Sequence, residues 1–348
     1  MDKNPLADDL DHILVHTRDL WEELRGQRIF ITGGTGFFGC WLLESFIWAN
    51  EKLDLDARAT VLTRSPAAFR VKAPHLAGHK AVALMEGDVR TFDFPAGTFS
   101  HVIHAATESS AKLNDENPLL MLDTIIEGTR HTLEFTKTCG AKKFLLTSSG
   151  AVYGKQPPEL THIPEDYTGA PDPMDPKSAY GQGKRIAEHL CALYAQQTNI
   201  EMKIARCFAF VGPYLPLDAH FAIGNFIRDA MNGGPIIIKG DGTPYRSYLY
   251  AADLTIWLWT ILFKGQSCRP YNVGSDEAFS IAEVAEQVAQ CFSPESQIEI
   301  RGKADPHKKP EGYVPSTTRA ESELKLKEWF FLRESIQHLI KLYQKNEL

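Results

Sequence analysis

The stretch Arg28-Ile-Phe-Ile-Thr-Gly-Gly-Thr-Gly-Phe-Phe-Gly39 decides the fold. It joins a short β-branched and aromatic run to glycines at the spacing a dinucleotide pyrophosphate needs. Gly33 permits a tight turn out of the strand, Gly36 lets backbone approach phosphate with no Cβ in the way, and Gly39 lets the following helix (40–50) lie close to the sheet. The phosphates would then sit at the positive N-terminus of that helix. Alone, the pattern also fits a glycine turn in any α/β protein.

Downstream, buried strands are expected over 59–62, 81–85, 101–104, 143–147 and 203–206, with helical patterns between them, notably 118–139 and 179–198. This alternation predicts a Rossmann-type doubly wound parallel sheet with ligands at the carboxyl ends of its strands. Ahead of the first strand, apolar side chains at Leu10, Ile13, Leu14, Trp21 and Leu24 predict a helical extension, with packing on the protein's own surface as its expected role. The proline-rich, acidic stretch 154–177 reads as a loop beside the site.

The chemistry is carried by two further segments. Leu145-Leu-Thr-Ser-Ser149 ends a hydrophobic strand in hydroxyls, and Tyr180-Gly-Gln-Gly-Lys184 opens a helix with a phenol and an ammonium one turn apart. A phenol is a poor acid or base at neutral pH, but an adjacent ammonium and a cationic nicotinamide favour the phenolate. Ser149 can hydrogen-bond the substrate oxygen that becomes a carbonyl. A surface Tyr-Lys pair and a helix-capping serine are the plainer readings of the same residues.

Together the chain resembles the extended short-chain dehydrogenase/reductases, in their nucleotide-sugar epimerase/dehydratase branch, from about Gln27 to the C-terminus. The matching pieces are Thr32-Gly-Gly-Thr-Gly-Phe-Phe-Gly39, Gly87-Asp-Val89, His104-Ala-Ala106, Thr147-Ser-Ser-Gly-Ala-Val-Tyr-Gly154, Ser178-Ala-Tyr-Gly-Gln-Gly-Lys184, Arg206-Cys-Phe-Ala-Phe-Val-Gly-Pro213, Gly240-Asp-Gly-Thr-Pro-Tyr-Arg-Ser-Tyr248 and Tyr271-Asn-Val-Gly274. The resemblance implies Ser149, Tyr180 and Lys184 as catalytic residues. For the dinucleotide it implies Gly33, Thr35, Gly36, Phe37, Phe38, Asp88, Val89, Ala105, Ala106, Thr107, Thr124 and Thr147, with Tyr180 and Lys184. For a nucleoside-diphosphate sugar it implies Glu108, Ser109, Ser149, Gly150 and Arg246, with Asn225 and Lys309 toward the nucleotide. It divides the chain into an extension (1–26), a dinucleotide domain (27–207 and 245–271) and a smaller substrate domain (208–244 and 272–348). The helices 118–139 and 179–198 resemble those that form a four-helix interface in relatives, so a homodimer is expected.

The residue ending the second strand chooses the cofactor, because an acid there bonds the ribose hydroxyls of NAD and repels an extra phosphate. Here that strand ends in Thr63-Arg-Ser-Pro66, with no acid. Arg64 and Ser65 can meet a 2′-phosphate, which favours NADP, although Arg64 can also stack on adenine with either cofactor. Family members that eliminate water or decarboxylate have acidic or polar residues just after the position of Ser149; this chain has Gly150 and Ala151, which carry no proton. The cysteine and histidine of fucose-synthase-type epimerases are replaced by Ala151 and Tyr214. What remains is hydride chemistry at one carbinol, C4 of the sugar: reduction of a 4-keto sugar, or 4-epimerisation with NAD retained. Thr124, Glu127 and Ala209 stand where asparagines are usual, which points to an unusual substrate. Relatives that bind NADP without catalysis lack the tyrosine and lysine, and both are present here.

The composition agrees. Net charge is −7 and no basic cluster appears on a predicted helix, which argues against nucleic acid. No apolar run reaches the roughly 18 residues of a transmembrane helix, and the acidic N-terminus is not a secretory signal. The six cysteines are scattered without a CxxC, as in a reduced cytoplasmic protein with neither metal site nor disulfide frame.

Overall fold

The computed structural model describes residues 4–107, 111–219, 221–292, 294–307 and 309–344. Glu108 and Ser109 lie outside the described residues. Along the chain come α1 (Ala7–Thr17), a 3-10 turn (Arg18–Leu24), β1 (Arg28–Thr32), α2 (Phe37–Lys52), β2 (Arg58–Thr63), α3 (Pro66–Lys72), α4 (Pro74–Ala77), β3 (Val82–Glu86) and β4 (His101–His104). Next are α5 (Ala111–Glu116), α6 (Pro118–Thr138), β5 (Lys143–Ser149), α7 (Ala179–Gln197) and β6 (Glu201–Cys207). The later part holds β7 (Phe210–Val211), α8 (Ala222–Met231), β8 (Ile236–Ile238), β9 (Tyr245–Arg246), β10 (Leu249–Tyr250), α9 (Ala251–Lys264) and β11 (Pro270–Val273). The chain closes with β12 (Phe279–Ser280), α10 (Ile281–Ala289), β13 (Ile298–Ile300), β14 (Gly312–Tyr313), α11 (Thr318–Leu324) and α12 (Leu332–Gln344).

Seven strands form one parallel sheet in the order β11-β6-β5-β4-β1-β2-β3. The strand order reverses at β1, which lies between β2 and β4, so the crevice outside these carboxyl ends is where a doubly wound sheet binds its ligand. β1 shows why the sheet is covered on both faces. Ile29 and Ile31 enter one core with α1, α2 and α9, whereas Phe30 points the other way into a second core with α6 and α7. That is the two-residue period of a strand buried on both sides.

The N-terminal extension packs on the protein itself. Leu10, Ile13, Leu14, Trp21 and Leu24 are all buried, and Asp9 accepts a hydrogen bond from the Tyr250 hydroxyl at 2.9 Å. The extension is not one helix: α1 stops at Thr17, whose hydroxyl donates back to the Ile13 carbonyl and accepts from Trp21 Nε1. α2 also begins earlier than expected. Gly36 is its N-cap, so Phe37 and Phe38 lie in the first turn and Gly39 lies inside the helix. A Cβ at Gly39 would stand 2.3 Å from Gly34 Cα, so Gly39 allows the helix to close on the turn that leads out of β1.

Beyond β6 three small sheets form: β10-β7, β13-β8 and β12-β9-β14. Tyr245–Arg246, expected to begin the return to the central sheet, instead belongs to the last of these, and β11 runs to Val273, past the expected seam at residue 271. Among the described residues no helix is long and apolar enough to cross a membrane.

Candidate active site

β1 delivers Gly33 at φ +72°, where a Cβ would lie 2.4 Å from the carbonyl of Ala105. Only glycine allows this approach of the β1 turn to the end of β4. Ala105 N–H donates to the Thr32 carbonyl and Ala106 N–H to Thr32 Oγ1, which seals the two strand ends together. The turn then opens outward. A Cβ at Gly36 would touch only the Gly33 carbonyl, at 3.5 Å, and no side chain caps α2. An open space before an uncapped helix N-terminus, with the N–H groups of Phe37 and Phe38 in its first turn, fits a pyrophosphate. Lys72 Nζ braces the turn by donating to the Thr35 carbonyl at 2.8 Å.

The end expected to take the adenosine lies at β2 and β3. Thr63 is buried and its hydroxyl accepts from Ser65 N–H, while Ser65 Oγ caps α3 by accepting from Ala68 N–H. Arg64 is exposed and acts electrostatically on Asp88. The Asp88 carboxylate is held by the Arg90 guanidinium, with both contacts at 2.9 Å, which lowers it to about 2. Arg90 is thus a partner of the expected adenine-bordering residue that sequence reasoning had not named. Val89 is buried against Gly128 of α6, and Thr124 lies half-buried on the same helix.

The three residues expected to be catalytic converge at the end of β5 and the start of α7. Ser149 closes β5, and its hydroxyl accepts from Ala151 N–H at 3.1 Å, so it caps a short turn while remaining in the site. Tyr180 sits in the first turn of α7. Asn114 fixes it there, accepting from Tyr180 N–H and donating to the Lys177 carbonyl at the preceding turn. Ser149 is the polar side chain that acts on the Tyr180 phenol, favouring its ionised form. Lys184 is buried, donating to Thr107 Oγ1 at 2.6 Å and to the Thr147 carbonyl at 2.7 Å, with its Nζ 5.9 Å from the Tyr180 ring centre.

The electrostatics differ from the expectation drawn from one helical turn. Burial pushes Tyr180 up to about 12, and the opposing influence is the Ser149 hydrogen bond. Burial likewise pulls Lys184 down to about 8. Lys184 is directed to Thr107 and Thr147, and burial dominates the Tyr180 phenol. Cys207, in register with Ser149, is kept a neutral thiol by burial, which raises it to about 12.

Behind the trio, Ser148 donates to Glu188, and Glu188 pairs with Arg206 at 2.7 Å. Arg206 also donates to the Tyr153 hydroxyl, which donates to Asn272. This network joins β5, α7, β6 and β11 and holds the strand end that carries Ser149.

On the substrate side, Arg246 lies on β9 in register with Tyr313 of β14. The Tyr313 hydroxyl stands beside Gly150, next to Ser149, which makes it a second phenol in the site that the motifs did not reveal. Gly150 sits beneath it: a Cβ there would be 2.8 Å from the Tyr313 oxygen. Asn225 and Lys309 are not drawn into this group. Asn225 Oδ1 accepts from Arg228 on α8, and Lys309 is exposed in the approach to β14.

A profile described as the NAD dependent epimerase/dehydratase family matches residues 29–274. The chain belongs to this family. UDP-glucuronic acid decarboxylase 5 of Arabidopsis thaliana is 31% identical over 310 residues, covering 89% of this chain and 87% of that protein. UDP-glucose 4-epimerase of Thermotoga maritima, solved with UDP-glucose, shares the fold at a TM-score of 0.76 and 19% identity, over 92% of this chain and 99% of that one. A mutant UDP-glucuronic acid 4-epimerase of Bacillus cereus, in complex with UDP-4-deoxy-4-fluoro-glucuronic acid and NAD, does so at 0.78 and 21%, with the same coverage. This member of the epimerase/dehydratase family thus carries the dinucleotide turn and the Ser-Tyr-Lys set of an NAD-dependent enzyme on the expected parallel sheet.

Proposed function

We propose that this protein transfers hydride at C4 of a nucleoside-diphosphate sugar, acting as a reductase of a 4-keto sugar. The observation that carries the reading is the Ser149 hydroxyl brought together with the Tyr180 phenol and the buried Lys184 at the end of β5, next to a Gly150-Ala151 pair that offers no proton of its own. Among the described residues, no carboxylate acts on the Tyr180 or the Tyr313 phenol. Gly150 and Ala151, the two positions after Ser149, hold no side chain that could serve as the second acid or base for elimination or exchange at neighbouring carbons, which supports proton movement at one oxygen.

A bound nicotinamide supplies the hydride. Ser149 holds the C4 oxygen, and Tyr180 gives its proton to that oxygen as the carbonyl becomes an alcohol. Lys184 holds the nicotinamide ribose, and Arg246 takes the diphosphate in a charge-assisted contact. The UDP-linked substrate named for the Arabidopsis relative supports a uridine nucleotide. The absence of an acid at Thr63, with Arg64 and Ser65 beside it, supports NADPH as the donor.

A second reading, 4-epimerisation with NAD retained, uses the same residues and draws support from the family's NAD dependence. The two separate when purified enzyme receives a UDP-linked 4-keto-6-deoxy sugar and NADPH. Stoichiometric loss of NADPH absorbance with formation of one C4 alcohol supports the reductase. Interconversion of two C4 epimers without net cofactor consumption selects the epimerase.

A further inference from the structure

The space for the adenosine ribose is bounded on two sides. A pyrophosphate at the N-terminus of α2 and an adenine beside Asp88 and Val89 leave the ribose between the turn after β1 and the end of β2, the place where an acid would bond its 2′-hydroxyl. β1 and β2 are paired in register, Thr32 with Leu62, so the turn that carries Thr35 opens beside the end of β2 at Thr63.

Two cations reach this gap. Arg64 follows Thr63 directly and is exposed. Lys72 comes from the other end of α3. Ser65 caps that helix by accepting from Ala68 N–H, and Phe69 is buried, which fixes the face that α3 turns to the body of the protein. Lys72, about one turn beyond Phe69, sends its ammonium back to the glycine turn, where Nζ donates to the Thr35 carbonyl at 2.8 Å.

That contact does not need a charge. A neutral donor would satisfy a carbonyl, and an ammonium has three N–H groups, of which the carbonyl takes one. Among the described residues no carboxylate forms an ion pair with Lys72, whereas Arg90 is held by Asp88, and Glu44 of α2 is taken by His75 and Tyr214. An exposed, flexible lysine thus keeps its charge and two donors at the edge of the ribose space.

We propose that Lys72 is a second contact for the 2′-phosphate of NADP, meeting it from the glycine turn as Arg64 meets it from the end of β2. This deepens the NADP reading given above and rests on it. A phosphate monoester carries about two negative charges at neutral pH, which two cations match and one does not. Lys72 is then a determinant of cofactor choice, whereas a mere brace of the turn would serve the pyrophosphate of both cofactors alike.

The test is calorimetric titration of NADP and NAD into the parent protein, Lys72→Gln and Arg70→Ala. Glutamine keeps a donor for the Thr35 carbonyl and removes the charge; Arg70 is an exposed cation of the same helix and controls for general loss of charge. Lys72→Gln is expected to weaken NADP by about three- to tenfold and NAD by less than about twofold, and the difference is expected to shrink between about 0.05 and 0.5 M salt because the group is exposed. Arg70→Ala is expected to change neither affinity by more than about twofold. Equal losses for both cofactors in Lys72→Gln overturn the proposal, as does an unchanged NADP affinity or an equal effect of Arg70→Ala. Parent protein that binds NADP no more tightly than NAD overturns the NADP reading and the proposal with it. Selective loss of NADP in Arg64→Ala with none in Lys72→Gln overturns the proposal alone.

Discussion

Lys184 Nζ donates to the Thr147 carbonyl at 2.7 Å, which ties the catalytic helix to the strand that ends in Ser149. The same ammonium holds Thr107 beyond β4, so one buried cation spans three segments of the site. Tyr180 has no such duty, and the two residues should therefore fail differently. Tyr180→Phe is expected to keep the fold and cofactor affinity while turnover falls by about 10²- to 10⁴-fold, the usual worth of a positioned proton donor. Lys184→Ala is expected to lose turnover, bind cofactor more weakly and also melt earlier, because the buried Thr147 carbonyl loses its donor at a cost of about 1–3 kcal/mol. Thermal melts and cofactor titrations of the two variants check the contrast; equal melting temperatures would contradict it.

Cofactor choice is tested at the end of β2. Arg64 is exposed there, with no acid at Thr63 to repel a 2′-phosphate. Arg64→Ala is expected to weaken NADP by about tenfold or more, one charge-assisted contact, while NAD changes little. Calorimetric titration with both cofactors measures this, and equal losses would count against an NADP preference.

The burial of Glu328 gives a stability signature that varies with pH. Burial, with Asp253, Glu277 and Asp276 nearby, raises its carboxyl from 4.5 to about 8, against an opposing Ser275 hydrogen bond, and its Oε1 is buried without a partner. The folded state holds a proton that the unfolded chain releases between these values. Its contribution is thus fully present below the unfolded value and is lost as pH rises through about 8. Glu328→Gln is expected to match the parent near pH 5 and to melt a few degrees higher near pH 8.5, roughly the effect of 1–2 kcal/mol. A difference in melting temperature that does not vary with pH would exclude this assignment.

The parts of the site that were legible in the sequence are those fixed by local spacing. Gly33 is recognisable because its turn needs positive φ, and Tyr180 with Lys184 because one helical turn sets their separation. Tyr313 was not legible. It is brought to Ser149 only by the pairing of β14 with β9, two-residue strands in a stretch without regular periodicity. The start of α2 was expected at residue 40, after the last glycine of the motif, whereas Gly36 caps the helix and Gly39 lies inside it. The direction of the Tyr180 shift was missed because burial is a tertiary quantity, invisible in the spacing of tyrosine and lysine.

Association is expected through α6 and α7, which pack together. Of their apolar residues, Leu133 and Leu190 are buried in the core, whereas Leu119, Ile186 and Leu193 remain exposed, Leu119 at 71%. A dimer mass in light scattering at micromolar concentration, reduced by Leu193→Glu, is the expected result; a monomer for the parent protein would refute it.

The central claim is that the protein's protons and hydride meet at C4 alone, because Gly150 and Ala151 carry no proton to the neighbouring carbons. The most direct measurement is deuterium mapping by NMR of product formed from a UDP-linked 4-keto-6-deoxy sugar, once with deuterated NADPH and once with ordinary NADPH in heavy water. The account requires deuterium at C4 in the first case, and in the second no carbon-bound deuterium at C3 or C5 beyond the enzyme-free control. Solvent deuterium fixed at C3 or C5, or a 4-keto-6-deoxy sugar made from an intact UDP-hexose, would contradict it.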